Sequence, residues 1–200
     1  PGATGNSSYG WFGGGNRSSV DRVDYSNDTA TASARGNLTS RSEVAATGNS
    51  SYGYWGGGGP GTLSKVERID YASDTSTASP KGPLATARTR PGATGNSSYG
   101  YWGGGQTGPG TKLSIIERID YSNDSAIASP KGNMDVEKHA LAGASANANG
   151  LPSNTKTVDK GAEGYTVAGP LGPAYGYWIG GGGGGSQYNR VDFSNDTGTA

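Results

Sequence analysis

Aromatic and β-branched residues come along this chain in short bursts of strand length, and each burst ends in glycine, asparagine, serine or aspartate. The stretch from Ala46 shows the pattern whole: Ala46-Thr-Gly-Asn-Ser-Ser-Tyr-Gly-Tyr-Trp-Gly-Gly-Gly, a Gly/Pro loop, Leu63-Ser-Lys-Val-Glu-Arg-Ile-Asp-Tyr, a turn, then Thr75-Ser-Thr-Ala-Ser. The separators are turn chemistry, because glycine adopts positive φ freely and Asn and Asp side chains bond to nearby backbone. The pattern predicts three clear strands and a short innermost fourth, with no helix. Alternation along the third strand puts Glu67, Ile69 and Tyr71 on one face and Val66, Arg68 and Asp70 on the other. Both faces are bulky, which predicts a sheet covered on both sides.

The arrangement is written four times. Tyr-Gly-aromatic-aromatic and a glycine run begin at Tyr9, Tyr52, Tyr99 and Tyr175, and an Arg-x-Asp pair follows each, ending at Asp24, Asp70, Asp120 and Asp192. Small antiparallel sheets stacked face to face at a period in the forties describe an all-β β-propeller with one blade per repeat. The expected array is a single one over 1–200, with blades at about 3–33, 46–79, 93–129 and 175–200. Outer strands fall at segments such as Thr29 to Ser33. Residues 133–174, rich in Ala, Asn, Gly and Lys, break the rhythm and read as a long loop, an assembly loop, or a degenerate repeat with strands across Gly164 to Ala168. Four blades with an enlarged loop, further blades outside this stretch, and association of copies to complete the ring all remain open.

Composition changes the picture in one respect: 31% of residues are hydrophobic and 38 of 200 are glycine, so an aliphatic core is excluded and the aromatics must supply it. The 16 basic and 16 acidic residues are interleaved, which leaves no basic footprint for nucleic acid. No apolar run reaches membrane-spanning length, and the lack of cysteine rules out disulfides and thiolate metal sites.

In its details the pattern resembles the kelch family of propellers, whose blades carry a basic residue near the start, an aromatic strand ending in Gly-Gly, a variable loop, and a strand ending in an aromatic and Asp. Arg88, Tyr99-Gly-Tyr-Trp-Gly-Gly-Gly, the loop 106–112 and Glu117-Arg-Ile-Asp-Tyr correspond in order. The kelch outer-strand Trp has no counterpart. The wording of the repeats is also similar to that of repeat proteins of marine bacteriophages, often large virion or tail-associated proteins. That resemblance implies a structural or host-contacting particle protein.

Candidate residues divide into two groups. The recurrent pairs Arg22/Asp24, Arg68/Asp70, Arg118/Asp120 and Arg190/Asp192 read as structural contacts between blades, and Trp11, Trp55, Trp102 and Trp178 as packing between blades. Repetition in every blade favours scaffold over a site. Asn27-Asp28, Ser73-Asp74, Asn123-Asp124 and Asn195-Asp196 read as Asx-turns in preference to calcium loops. Recognition then falls to the loops after the glycine runs, with Asn16, Arg17, Thr62, Gln106, Lys112, Gln187 and Asn189 as binding candidates. Asn-x-Ser/Thr triplets, as at Asn6 and Asn49, read as turn composition.

Catalysis has little support: His139 is the sole histidine and no nucleophile elbow or zinc helix occurs. The chain reads as a non-enzymatic module without cofactor or metal. Expected partners are other virion subunits, further copies of itself, or a host surface glycan, with location on the virion. A secreted bacterial adhesion or matrix protein is the alternative, and a propeller-based enzyme a third reading.

Overall fold

The computed structural model describes residues 1–145, 157–158, 165–166, 175–180, 188–193 and 196. Four small antiparallel sheets are arranged as the blades of a four-bladed β-propeller. Blade 1 holds β1 (Gly2–Gly5), β2 (Tyr9–Gly13), β3 (Arg17–Asp24) and β4 (Ser33–Arg41). Blade 2 holds β5 (Ala45–Gly48), β6 (Tyr52–Gly56), β7 (Val66–Asp70) and β8 (Ser79–Lys81). Blade 3 has β9 (Gly92–Gly95), β10 (Tyr99–Gly103), β11 (Gln106–Gly108), β12 (Thr111–Asp120) and β13 (Ser129–Lys138). Blade 4 comprises β14 (Ala142–Ser145), β17 (Tyr175–Ile179) and β18 (Tyr188–Asp192), while β15 (Thr157–Val158) and β16 (Tyr165–Thr166) form a separate two-stranded ladder. Within each blade the first strand lies innermost, and β1, β5, β9 and β14 run side by side in that order around the axis.

Two features differ from the sequence reading. The outermost strands begin where Thr29 to Ser33 was expected to end: β4 and β13 carry the chain on to Arg41 and Lys138. Their apolar anchors are few, Leu38 in β4 and Met134 in β13, so no aromatic pattern marked them. The stretch 133–174 is likewise not wholly an insertion, since 133–138 complete β13 and 142–145 form the innermost strand of blade 4. The two-stranded ladder includes Tyr165–Thr166, within the span where a degenerate repeat was to show strands.

Register explains the composition. In blade 2, Tyr52 pairs with Asp70, Gly53 with Ile69, Tyr54 with Arg68, Trp55 with Glu67 and Gly56 with Val66. Period-2 alternation therefore sends Tyr52, Tyr54, Gly56, Arg68 and Val66 to the face toward the next blade, and Gly53, Trp55, Glu67 and Ile69 to the face toward the preceding one. Both faces are buried, as predicted for stacked sheets. The core is three clusters, one per junction: Trp11, Val20, Leu38, Val44, Trp55, Ile69 and Ala78 between blades 1 and 2, and two counterparts built around Trp102 and Trp178.

The glycines of the aromatic strand have a steric reason. A Cβ at Gly56 would meet Trp102 Nε1 at 2.5 Å, and one at Gly13 or Gly103 would crowd Trp55 or Trp178. Blades 1 to 3 thus end their second strand in glycine so that the tryptophan of the next blade can lie on it. Trp55 and Trp102 also donate Nε1–H to the Gly2 and Ala45 carbonyls of the preceding inner strand, at 3.0 and 3.3 Å.

Candidate functional site

The repeated arginines and aspartates were read as pairs two positions apart, and the structure corrects the partner. Arg22 reaches Asp74 of blade 2 at 3.0 Å, Arg68 reaches Asp124 of blade 3 at 2.7 Å, and Arg118 reaches Asp196 of blade 4. Asp24, Asp70 and Asp120 instead close the turn after their strand, accepting from the backbone N–H of Ser26, Ala72 and Ser122 at 2.9 Å. Hydrogen bonds from the Ser26 and Ser122 hydroxyls and amides hold the Asp24 and Asp120 carboxyls below the usual range. The Asx-turn therefore belongs to this first aspartate. The second, at 74, 124 and 196, is the inter-blade acceptor.

That acceptor sits in a clamp repeated at all three junctions. Asp124 accepts from Tyr54 Oη at 2.9 Å and Arg68 Nη1, pairs with Lys81 Nζ at 3.2 Å, and through its carbonyl accepts from the Gly82 N–H at 2.8 Å. Trp11, Arg22, Arg35 and Gly36 surround Asp74 in the same way, and Tyr101, Arg118, Lys131 and Gly132 surround Asp196. Each arginine is positioned by the first tyrosine of its own blade, the guanidinium lying 4.1–4.2 Å over Tyr9, Tyr52 or Tyr99. Above the clamp one ring of each blade stacks on the next: Trp11 on Tyr71, Tyr54 on Tyr121, Tyr101 on Phe193. Trp11 consequently stands in the register of Tyr54 and Tyr101, and it is Phe12 that stands in the register of Trp55, Trp102 and Trp178.

A second contact ties each connector to the next blade. Buried Arg41 donates to the carbonyls of Trp55, Gly57 and Lys65 and pairs with Glu67, which also accepts from Thr39. Arg88 repeats this with the carbonyls of Gly104 and Ile115 and with Glu117. Burial pulls both arginines downward in pKa, opposed by the facing glutamates. At the third junction Lys138 bonds to Asn189 at 2.6 Å. The pairing of Arg41 with Glu67 escaped the sequence reading because the two residues sit in different repeats, outside the aromatic phrase.

With the charges of the three junctions engaged in this way, the described surfaces open to a ligand include the two rims and the channel. On one rim the Asn-Ser-Ser turns recur: Asn6, Asn49 and Asn96 each accept through Oδ1 from two backbone N–H groups, leaving the following serines exposed. Asn49, Ser97, Ser98, Tyr99, Asp120, Tyr121 and Ser122 line a cleft of ≈ 370 Å³ between blades 2 and 3 on this rim. Its hydroxyls, amide and carboxylate offer both donors and acceptors.

The opposite rim carries the predicted binding loops. Asn16 is exposed at φ 65°, Arg17 opens β3, Thr62 lies in the long loop of blade 2, and Gln106 pairs directly with Lys112 across β11 and β12. Asn189 is not a loop residue but is buried in β18, held by Lys138 and Asp135. Gln187 lies outside the described residues. At this end of the axis, Glu43, Arg90 and Ala140 all adopt positive φ and are linked by Arg90 N–H to Glu43 carbonyl and Ala140 N–H to Arg90 carbonyl bonds. The channel beside them, ≈ 290 Å³, is lined by small residues such as Ala3, Ala46, Ala93 and Ala142 of the four inner strands, with Val44 and Leu141 just before two of them.

Among the described residues, no three His, Cys, Asp or Glu side chains gather as a metal site would require. Compared with known proteins, the chain matches no protein-family model and no curated sequence.

Proposed function

We propose that the chain is a non-catalytic structural and recognition module of a virus particle, on a tail or surface fibre, and that the Asn-Ser-Ser rim presents its inter-blade clefts to a host-surface glycan. One observation carries the recognition reading: at the three junctions Arg22, Arg68 and Arg118, their aspartates and the core aromatics are engaged in blade-to-blade contacts, while the exposed serines and Asp120 face a polar cleft. Among the described residues, the channel lining carries small and apolar side chains and no ionisable one. The particle setting rests on the resemblance of the repeat wording to phage proteins.

A saccharide-panel binding measurement tests the reading. Binding is expected to weaken about tenfold or more on Ser98→Ala with Asp120→Asn, since unpaired buried polar groups discriminate strongly. Turnover of a bound saccharide, abolished by Asp120→Asn, would sink it, as would the absence of saccharide binding.

A further inference from the structure

Three junctions follow one rule, and the faces at the two ends of the array carry the matching halves of a fourth. In blades 2 to 4 the face toward the preceding blade buries a tryptophan (Trp55, Trp102, Trp178) and the clamp aspartate (Asp74, Asp124, Asp196) and partly buries a stacked aromatic after the third strand (Tyr71, Tyr121, Phe193). In blade 1 the same positions are Phe12, 47% exposed, Tyr25, 52% exposed, and Asp28, also exposed. Asp21, in the register of Glu67 and Glu117, is exposed as well. The face of blade 4 that looks away from blade 3 presents Arg190, held 4.2 Å over Tyr175 in the pose of Arg22, Arg68 and Arg118, yet exposed.

The side chains on these two faces are altered together. Position 179 is the register of Gly13, Gly56 and Gly103, the glycines on which the next tryptophan lies. There alone the glycine is replaced, by Ile179, 57% exposed, and blade 1 alone carries Phe in place of the tryptophan that would clash with it. A Gly/Trp contact has become an Ile/Phe contact, and the Arg190/Asp28 charges remain complementary. We infer that the open face of blade 1 docks the open face of blade 4 of a second copy, with Phe12 against Ile179 and Asp28 receiving Arg190. The contact is head-to-tail, joining two different surfaces, so it closes into a ring or propagates. It is a separate surface from the serine rim, so its test leaves the glycan reading untouched.

The experiment uses the 200-residue chain in sedimentation velocity over a wide concentration range, with Asp28→Arg, Arg190→Asp and Tyr25→Ser. All three sites are exposed or lie on the exposed faces, and unchanged melting curves confirm that the variants fold. The wild type is expected to associate with rising concentration, each single charge reversal to weaken association by about 30-fold or more, and an equimolar mixture of Asp28→Arg with Arg190→Asp to recover it through the swapped pair. A strictly monomeric wild type overturns the proposal, and so does association unaffected by all three variants. Because the chain has no cysteine, an Asp28→Cys/Arg190→Cys variant reports the other occupant directly: a disulfide formed within a monomer would mean that blade 4 closes on blade 1 of the same chain.

Discussion

The Tyr54 hydroxyl of blade 2 donates to the Asp124 carboxylate of blade 3 at 2.9 Å, across 70 residues of sequence. Arg68 and Lys81 of blade 2 bind the same carboxylate. One acidic side chain is thus the point at which three polar groups of the preceding blade converge.

Removing that point should loosen one junction selectively. Asp124→Asn keeps the shape but withdraws the counter-charge, and about 2 kcal/mol of stability should be lost, a figure already reduced for the partial exposure of Arg68 and Lys81. Asp124→Ala should cost about 3 kcal/mol. Urea unfolding followed by tryptophan fluorescence measures both, and equal stability of Asp124→Ala and wild type would contradict the clamp.

The Arg88–Glu117 pair is fully buried, both side chains 0% exposed. Glu117→Gln strands a buried guanidinium and should cost about 3–5 kcal/mol. The double variant Arg88→Met/Glu117→Leu should regain only part of this, because Arg88 also satisfies the Gly104 and Ile115 carbonyls. A double variant as stable as wild type would show those carbonyl bonds to be dispensable.

Gly82 offers a steric test. An added Cβ would lie 1.8 Å from the Ala126 carbonyl oxygen of the next blade, and the Gly82 N–H bonds to Asp124. Gly82→Ala should therefore destabilise by about 3 kcal/mol or more. Gly108→Ala, where nothing lies within 4 Å, should stay within about 0.5 kcal/mol of wild type.

Acid should weaken the junction between blades 1 and 2. Burial raises the pKa of Glu67, but bonds from Thr39 and Lys65 and the charge of Arg41 outweigh it, and the net value lies below the ordinary 4.5. A depressed carboxyl stabilises the fold above its unfolded value and loses that contribution as pH falls through its folded value. Stability measured from pH 6 downward should decline below about 4.5, and Glu67→Gln should flatten that limb.

At the alkaline end the sign reverses. Burial pushes Tyr71 and Tyr121 well above the ordinary 10.0, so their neutral forms stabilise the fold below that pH and the contribution fades above it. Spectrophotometric titration of the 12 tyrosines should show a fraction ionising near pH 10 and a remainder ionising only with loss of structure. A single smooth transition of all 12 would contradict this.

Strand order, stacking and burial of the tryptophans were legible because period-2 alternation and a recurring aromatic phrase are local signals. The partner of Arg68 was not. Asp70 is two positions away on the same face, and Asp124 is one repeat further on, so spacing alone favoured the wrong carboxylate. Trp11 misled for a related reason: residue type aligned it with Trp55, while the ladder pairs it with Arg22, as Tyr54 pairs with Arg68. The outer strands were placed too early because Ser33–Arg41 alternates small and polar residues around a single leucine. Among the described loop candidates, Arg17, Gln106 and Lys112 fall in strands β3, β11 and β12, and Asn189 is buried in β18, since the glycine runs before them give no sign of where the next strand begins.

Each clamp reaches from one repeat into the following one, from Arg22 to Asp74, from Arg68 to Asp124, from Arg118 to Asp196. A gene encoding such a protein can gain or lose one whole repeat by unequal recombination and still translate every surviving junction with its donor and acceptor in phase. A deletion of half a repeat would orphan a buried aspartate. The repeat is therefore the smallest length of chain whose removal leaves every remaining clamp with both its partners.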